Sequence, residues 1–328
     1  VSAAPGALAP RAATAAGAVF AVAACLLWGL DVLVPVLLGG FGPAAITVSR
    51  FLCYGVVALV VLAARGGLRR VVGFGPRVLV RALLLGTLGE VVYYLLVVTG
   101  IGLVDAPVVA VIIGTLPVTV TLAGSYGGEF PLRRLAFPVA LILLGVGTVN
   151  VVEIDWAAVG ARSLPQQLAG VACAVAAVGL WTWFVVANAR VLNRNPHIAA
   201  EDWSALLGVA TFLPALLAAP FVLDRATVAR GPLTLLAGGL VLGLAVSWLG
   251  TVFWNKASRG LPVSLLGQLM VFETLAALTY VFVATSKTPP PLELAGIAMT
   301  LVGLSIGIGR CRSPREQGKD PVDAPLPQ

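Results

Sequence analysis

Glu90 is an acid in the middle of a hydrocarbon-like run, residues 79–99, and Tyr93 and Tyr94 follow it three and four positions on. In a helix those spacings put all three on one face. A charge near the middle of a bilayer costs about 2.5 to 3.5 kcal/mol on insertion scales, so such a residue is read first as part of a solute or ion path. A carboxylate beside two phenols suits an ammonium group, through charge and through the aromatic faces, or a coupling proton whose binding responds to its surroundings. The structural alternative is a glutamate satisfied by a neighbouring helix. Glu273, midway along the run 262–284, is the second acid of this kind. Met270 and Tyr280 stand at helical spacing on its side, and Gln268 points about 140° away. Its structural alternative is an ion pair inside a tight bundle.

Asp31 and Arg50 form a different constellation. Asp31 falls one turn after Trp28, and Arg50 lies near the start of the next apolar run with Tyr54 four residues on. A short loop between antiparallel helices brings both charges near one outer end, as an extracellular gate or as a neutralised structural pair. Trp181 with Asn188, and Trp248 with Asn255, are each seven residues apart, a spacing that stripes one helical face. Trp28, Trp181, Trp248 and Asn255 are therefore expected on a cavity wall. The competing reading for tryptophan is an anchor at the membrane interface, expected most clearly of Trp156 and Trp203.

Elements able to hold these residues follow from composition. Of 328 residues, 59% are hydrophobic and 11% charged, with a mean hydropathy of +1.01. Apolar runs near 17–38, 43–64, 79–99, 104–125, 134–152, 168–189, 202–222, 232–254, 262–284 and 293–309 are each near the roughly 20 residues that span a bilayer. The order repeats: Trp28 and Trp181 stand 153 positions apart, Gly100 and Ala257 157, and Gly145 and Gly303 158. Five spans per copy is an odd number, so the second copy enters from the opposite side. That yields an all-α polytopic membrane protein, ten transmembrane helices in two inverted five-helix repeats, the architecture of alternating-access carriers. The expected divisions are a cytoplasmic segment 1–16, a first repeat 17–152, an extracytoplasmic linker 153–167, a second repeat 168–309 and a disordered cytoplasmic tail 310–328. Pro35, Pro117 and Pro214 are expected to interrupt helices, and Gly239 with Gly243, and Gly303 with Gly307, offer small faces for close packing.

Charge placement orients this body. Arg65, Arg69, Arg70, Arg77 and Arg81, then Arg133 and Arg134, Arg190 and Arg194, Lys256 and Arg259, and finally Arg310, Arg312, Arg315 and Lys319 all follow alternate spans. Arg162, Arg225, Arg230 and Lys287 lie in the opposite loops, and the positive-inside rule then puts both termini in the cytoplasm. The net charge of +7 reflects those loops and anionic headgroups, and no nucleic-acid surface is visible. Asp31 and Pro35 interrupt the first span, which reads as a retained helix and not a signal peptide. Four cysteines, at 25, 53, 173 and 311, show neither disulfide nor metal spacing, and no cofactor is called for. His197 reads as a solvated loop residue, and Glu129 and Glu293 as span-end residues reaching the interface. Arginine in preference to lysine, with abundant Ala, Gly and Val, suggests a GC-rich bacterial genome and hence the bacterial cytoplasmic (inner) membrane. The expected partners are a small organic solute, the bilayer and protons, with a homodimer left open. An intramembrane enzyme would need paired metal-binding carboxylates, HExxH or a serine with a base, none at the required spacing. A non-transporting receptor or assembly protein is the remaining alternative.

Leu26 to Gly29 (Leu-Leu-Trp-Gly), Pro43 followed by Arg50-Phe51, Pro107 to Pro117, Gly128-Glu129 and Leu144-Gly145, taken in this order, resemble the EamA-type branch of the drug/metabolite transporter superfamily. The likeness covers residues 17–309. It implies ten helices in two repeats, transport of small organic solutes such as amino acids, amines or metabolites, export as the favoured direction, and a place for Glu273 near the substrate cavity. Two positions depart from the family pattern: Lys287 or its neighbour stands where an acid often precedes the last helix, and Thr274 follows Glu273 where proline is common.

Overall fold

Pro43, Pro76 and Pro232 each stand in the first turn of a helix, where a missing N–H leaves no bond unmade. Leu164–Arg194 starts differently: the backbone N–H of Ser163 donates to the Gln166 side chain at 3.1 Å, the return bond of a capping box, with Pro165 in the first turn. These start signals place the helix ends. The computed structural model describes residues 10–104, 106–126, 132–151, 154, 156–160, 162–286 and 290–311, which are helical apart from short turns, with no strand among them. Glu129, Lys287, most of the expected tail and the first nine residues lie outside the described residues, as do the side chains of Trp156 and Glu293.

Among the described residues, eight helical stretches are long and apolar enough to cross a membrane: Ala15–Leu37, Pro43–Ala64, Pro76–Leu103, Val108–Ser125, Leu164–Arg194, Ala200–Val222, Pro232–Gly260 and Val263–Ala284. Two shorter apolar helices, Leu135–Val149 and Leu294–Gly307, take the fifth and tenth places of the expected order. The sixth span begins inside the stretch 153–167 expected as a linker, because the capping box sets its start at Leu164. The first helix likewise runs back to Pro10, inside the segment 1–16.

The packing has a two-fold logic. The first span packs on the eighth and the ninth, and the sixth packs on the third and the fourth; the second packs on the eighth, and the seventh on the third. Each contact between the halves thus has its counterpart when the repeats are exchanged, while the pairs second–seventh, fourth–ninth and fifth–tenth map onto themselves. The self-paired helices run antiparallel. Arg65 at the end of the second span meets Asp202 at the start of the seventh, and Gly145 meets Gly296 while Ile142 meets Gly303. Equivalent helices pointing in opposite directions are what an inverted repeat requires.

Small residues allow this close approach. A Cβ at Gly243 would sit 2.7 Å from the Tyr54 backbone nitrogen, and one at Gly145 would sit 2.5 Å from the Gly296 carbonyl oxygen. Several helices are also irregular in matching places. A π-helical stretch occupies Leu85–Val92 in the third span and Val241–Leu249 in the eighth. The fourth span turns at Gly114 and Thr115, and the ninth at Met270. The first span turns at Gly29, whereas its partner, the sixth, is continuous from Leu164 to Arg194. Of Pro35, Pro117 and Pro214, each expected to interrupt a helix, one stands beside a break. Pro35 and Pro214 lie inside continuous helices, and Pro117 stands just after a break, in the first turn of the resumed helix.

Candidate functional site

Between the halves lies a cavity of about 490 Å³. Its wall includes Trp28, Asp31, Arg50, Glu90, Tyr93, Tyr94, Trp181 and Glu273, eight of the ten residues singled out from the sequence. They come from the first, second, third, sixth and ninth spans. Glu90 sits in the π-helical stretch of the third span and is 8% exposed; Tyr93 and Tyr94 follow as the helix returns to α geometry. A π stretch of this kind is uncommon and often marks a functional position. Phe184, Ser247, Thr251 and Trp254 also line the cavity and were not anticipated.

Arg50 is held on every side. Its guanidinium pairs with Asp31 at 2.5 Å, donates from Nε to the Ser247 hydroxyl at 2.9 Å, and lies 5.4 Å and 5.2 Å from the ring centroids of Phe51 and Tyr94. One cation therefore ties the C-terminal half of the first span to the second and to the π stretch of the eighth. Among the lining residues it is the one basic side chain, against three carboxylates. Deeper in, aromatic rings from both halves meet in a chain. Trp28 lies 4.9 Å from Trp254 and 5.7 Å from Trp181, and Trp181 lies 4.8 Å from Tyr93 and 5.0 Å from Phe184. Such offset and edge contacts add about 0.5 to 1.5 kcal/mol per pair beyond the area they bury.

Beyond these rings the bundle is closed by a polar network. Asn188 donates to the Asn255 carbonyl oxygen at 2.8 Å, Asn255 donates to the Ser204 hydroxyl at 2.8 Å, and Trp203 donates its indole N–H to Asn188 at 2.7 Å. Three expectations are corrected here. Asn255 is fully buried in this network and does not line the cavity, and Trp203 is a core residue hydrogen-bonded between helices, not an interfacial anchor. Trp248 is also absent from the cavity wall; it packs with Phe51, Tyr54, Val91 and Ala215. Residues 247, 251 and 254 of the eighth span look inward, and 248 and 255, one position further round, look elsewhere. Gln268, buried against Gly307, and Tyr280, which donates to the Leu26 carbonyl, are likewise off the wall.

The same closed end carries ion pairs. Asp202 meets Arg65 and Arg70, each at 3.3 Å, and Glu201 meets Lys256 at 2.7 Å. Basic residues just after the second span and in the last turns of the eighth thus converge on one end, as the inverted repeat demands. The cavity reaches the opposite end, where Phe41 of the first loop and Pro43 in the first turn of the second span line it. Among the described residues no three His, Cys, Asp or Glu side chains gather as a metal-binding cluster.

A model of the EamA-like transporter family matches residues 15–151, the first repeat. An Escherichia coli (strain K12) protein named "Inner membrane protein YtfF" is 32% identical over 313 residues, covering 89% of this chain and 94% of that protein. The chain belongs to the EamA-like transporter family. A second relative in Streptantibioticus cattleyicolor, named "Probable terminal-alkyne amino-acid exporter", is 27% identical over 288 residues, covering 87% of this chain and 90% of its own length. A crystal structure of a protein superposes with a TM-score of 0.72 at 19% identity, over 91% of this chain and 98% of the other, which shows that the two share a fold. Membership of the EamA-like transporter family makes this multi-pass helical chain a membrane transporter.

Proposed function

We propose that the chain is a secondary carrier that exports a small amine-bearing organic solute, an α-amino acid or a related amine, in exchange for protons. The observation that supports this most is the charge balance of the cavity. Asp31 is neutralised by Arg50, which leaves Glu90 and Glu273 facing a space walled, apart from Ser247 and Thr251, by aromatic and aliphatic side chains. Two such carboxylates beside Trp28, Trp181 and Tyr93 suit an ammonium group, and the apolar remainder suits its side chain. A carboxylate cannot hold a proton and a bound ammonium together, so proton and solute compete for one site. That competition is the minimum needed for exchange, given two repeats that can expose the site to either side in turn.

Direction and placement rest on further support. A relative is named as an exporter, and another as an inner membrane protein. The convergence of Arg65, Arg70, Lys256 and Arg259 on one end favours a cytoplasmic location for that end. On this reading the cavity described above is open outward and closed inward. The test is flux in proteoliposomes carrying a pH gradient, with amino acids and amines inside. Cationic or zwitterionic solutes should exchange with protons, and organic anions should not. Flux of an organic anion, with neither binding nor flux of any cationic or zwitterionic solute, would overturn the proposal.

A further inference from the structure

Three residues that line the cavity each carry a buried polar atom without a hydrogen-bond partner: Oε1 of Glu90 and the indole nitrogens of Trp181 and Trp254. The first can only accept when ionised, and an indole N–H can only donate. Orphaned groups of this kind are penalised most where water is excluded, as within a bilayer. The two indoles are neighbours of the same ring, because Trp28 lies 5.7 Å from Trp181 and 4.9 Å from Trp254. Both indoles therefore pack against one ring of the cavity lining. Trp254 is fully buried, and the surrounding fold is able to pair a buried indole, since Trp203 donates to Asn188 at 2.7 Å.

We propose that the indole N–H of Trp254, assisted by that of Trp181, binds an oxygen acceptor of the solute, its carboxylate, while the glutamates hold its ammonium. The inference rests on the amine-carrier reading and deepens it. A plain amine satisfies Glu90 and leaves both indoles unpaired; an α-amino acid satisfies all three atoms. Trp254 is then the residue that selects an amino acid over the corresponding decarboxylated amine. Arg50 does not fill this role, because its charge is already committed to Asp31 and its Nε to Ser247. A site built to hydrogen-bond a solute group discriminates against analogues lacking it, since its own polar atoms are then stranded.

The test uses the purified full chain and matched probes: L-phenylalanine with 2-phenylethylamine, and L-leucine with 3-methylbutylamine, titrated calorimetrically. Wild-type protein should prefer the amino acid of each pair. Trp254→Phe should weaken amino-acid binding about tenfold, the factor produced by about 1.4 kcal/mol, and leave amine binding within twofold. Replacement of Trp254 by benzothienylalanine, which keeps the fused ring and lacks the N–H, should give the same loss and excludes an effect of ring size. Trp248→Phe is the control: its indole nitrogen is also buried and unpartnered, but it lies off the cavity wall, and neither probe should respond. An unchanged amino-acid preference in both Trp254 variants, or an equal loss for acid and amine, would overturn the assignment. If the wild type binds no member of either pair, the amine-carrier reading fails, and this inference with it.

Discussion

Glu90→Gln separates a working carboxylate from a structural one, because the two roles predict opposite signs in two measurements. The side chain is 8% exposed and its Oε1 has no partner. An amide of nearly equal shape is cheaper to bury than a charge, so the empty variant should be as stable as wild type or melt a few degrees higher. Binding should move the other way. A carboxylate and an ammonium about 4 Å apart attract by roughly 4 kcal/mol at an effective dielectric of about 20. Desolvation offsets part of this, and glutamine still accepts a neutral hydrogen bond, so the net loss is about 2 kcal/mol, or roughly 30-fold in Kd. Proton competition adds a pH signature. Wild-type affinity for an ammonium-bearing probe should fall as the medium is acidified, because protons then compete for the carboxylates. In Glu90→Gln the curve should be flatter and lie at the weaker affinity. Calorimetric titration at several pH values, with thermal unfolding of the same samples, measures both quantities. A variant that melts lower yet binds like wild type with unchanged pH dependence would refute the reasoning and make Glu90 a structural residue.

Three further outcomes are expected. Gly250→Val should weaken solute binding about tenfold with a stability loss of about 1 to 3 kcal/mol, because a Cβ at Gly250 would sit 2.7 Å from Nε1 of Trp28; normal affinity in this variant would show that the Trp28 ring position is irrelevant to binding. Asn188→Ala should cost about 2 to 4 kcal/mol in unfolding experiments, since Asn255 and Trp203 each lose a buried partner, and a loss under about 1 kcal/mol would dissolve the network as a structural unit. Cysteines placed at Gly160 and Arg194 should react with a membrane-impermeant maleimide from outside and from the cytoplasm respectively, and the reverse pattern would invert the proposed topology.

Much of the architecture was legible because a bilayer leaves few options. Apolar runs of bilayer length must be helices, and an odd number per copy forces inversion, so spans and repeat could be read before any contact was known. Glu90, Tyr93 and Tyr94 were legible for a related reason: an intramembrane acid is costly enough that its helical neighbours on the same face are informative. The eighth span was harder. Residues 248 and 255 make a stripe with the same helical spacing as 247 and 254, and a conspicuous tryptophan and asparagine favoured the wrong one. Periodicity cannot say which of two adjacent faces looks inward, and Asn255 is satisfied by Asn188 and Ser204 instead of by a solute.

The repeat itself contained the missing information. The 157-position offset that aligns Gly100 with Ala257 carries Glu90, Tyr94 and Val97 of the third span onto Ser247, Thr251 and Trp254 of the eighth, and all six line the cavity. The same offset pairs Tyr93 with Gly250. Trp181 lies against Tyr93 at 4.8 Å, and its repeat counterpart Trp28 lies against Gly250. The two halves thus make the same contact with different residues: a ring beside Trp181, and bare backbone beside Trp28. The carboxylate is likewise present in one half, at Glu90, and replaced by a hydroxyl in the other, at Ser247, which binds Arg50. A duplicated frame therefore holds a site whose polar groups differ between the copies. An asymmetric solute with a charged end and an apolar end needs that inequality, which explains why the repeat predicts the positions that line the cavity and not the chemistry each one carries.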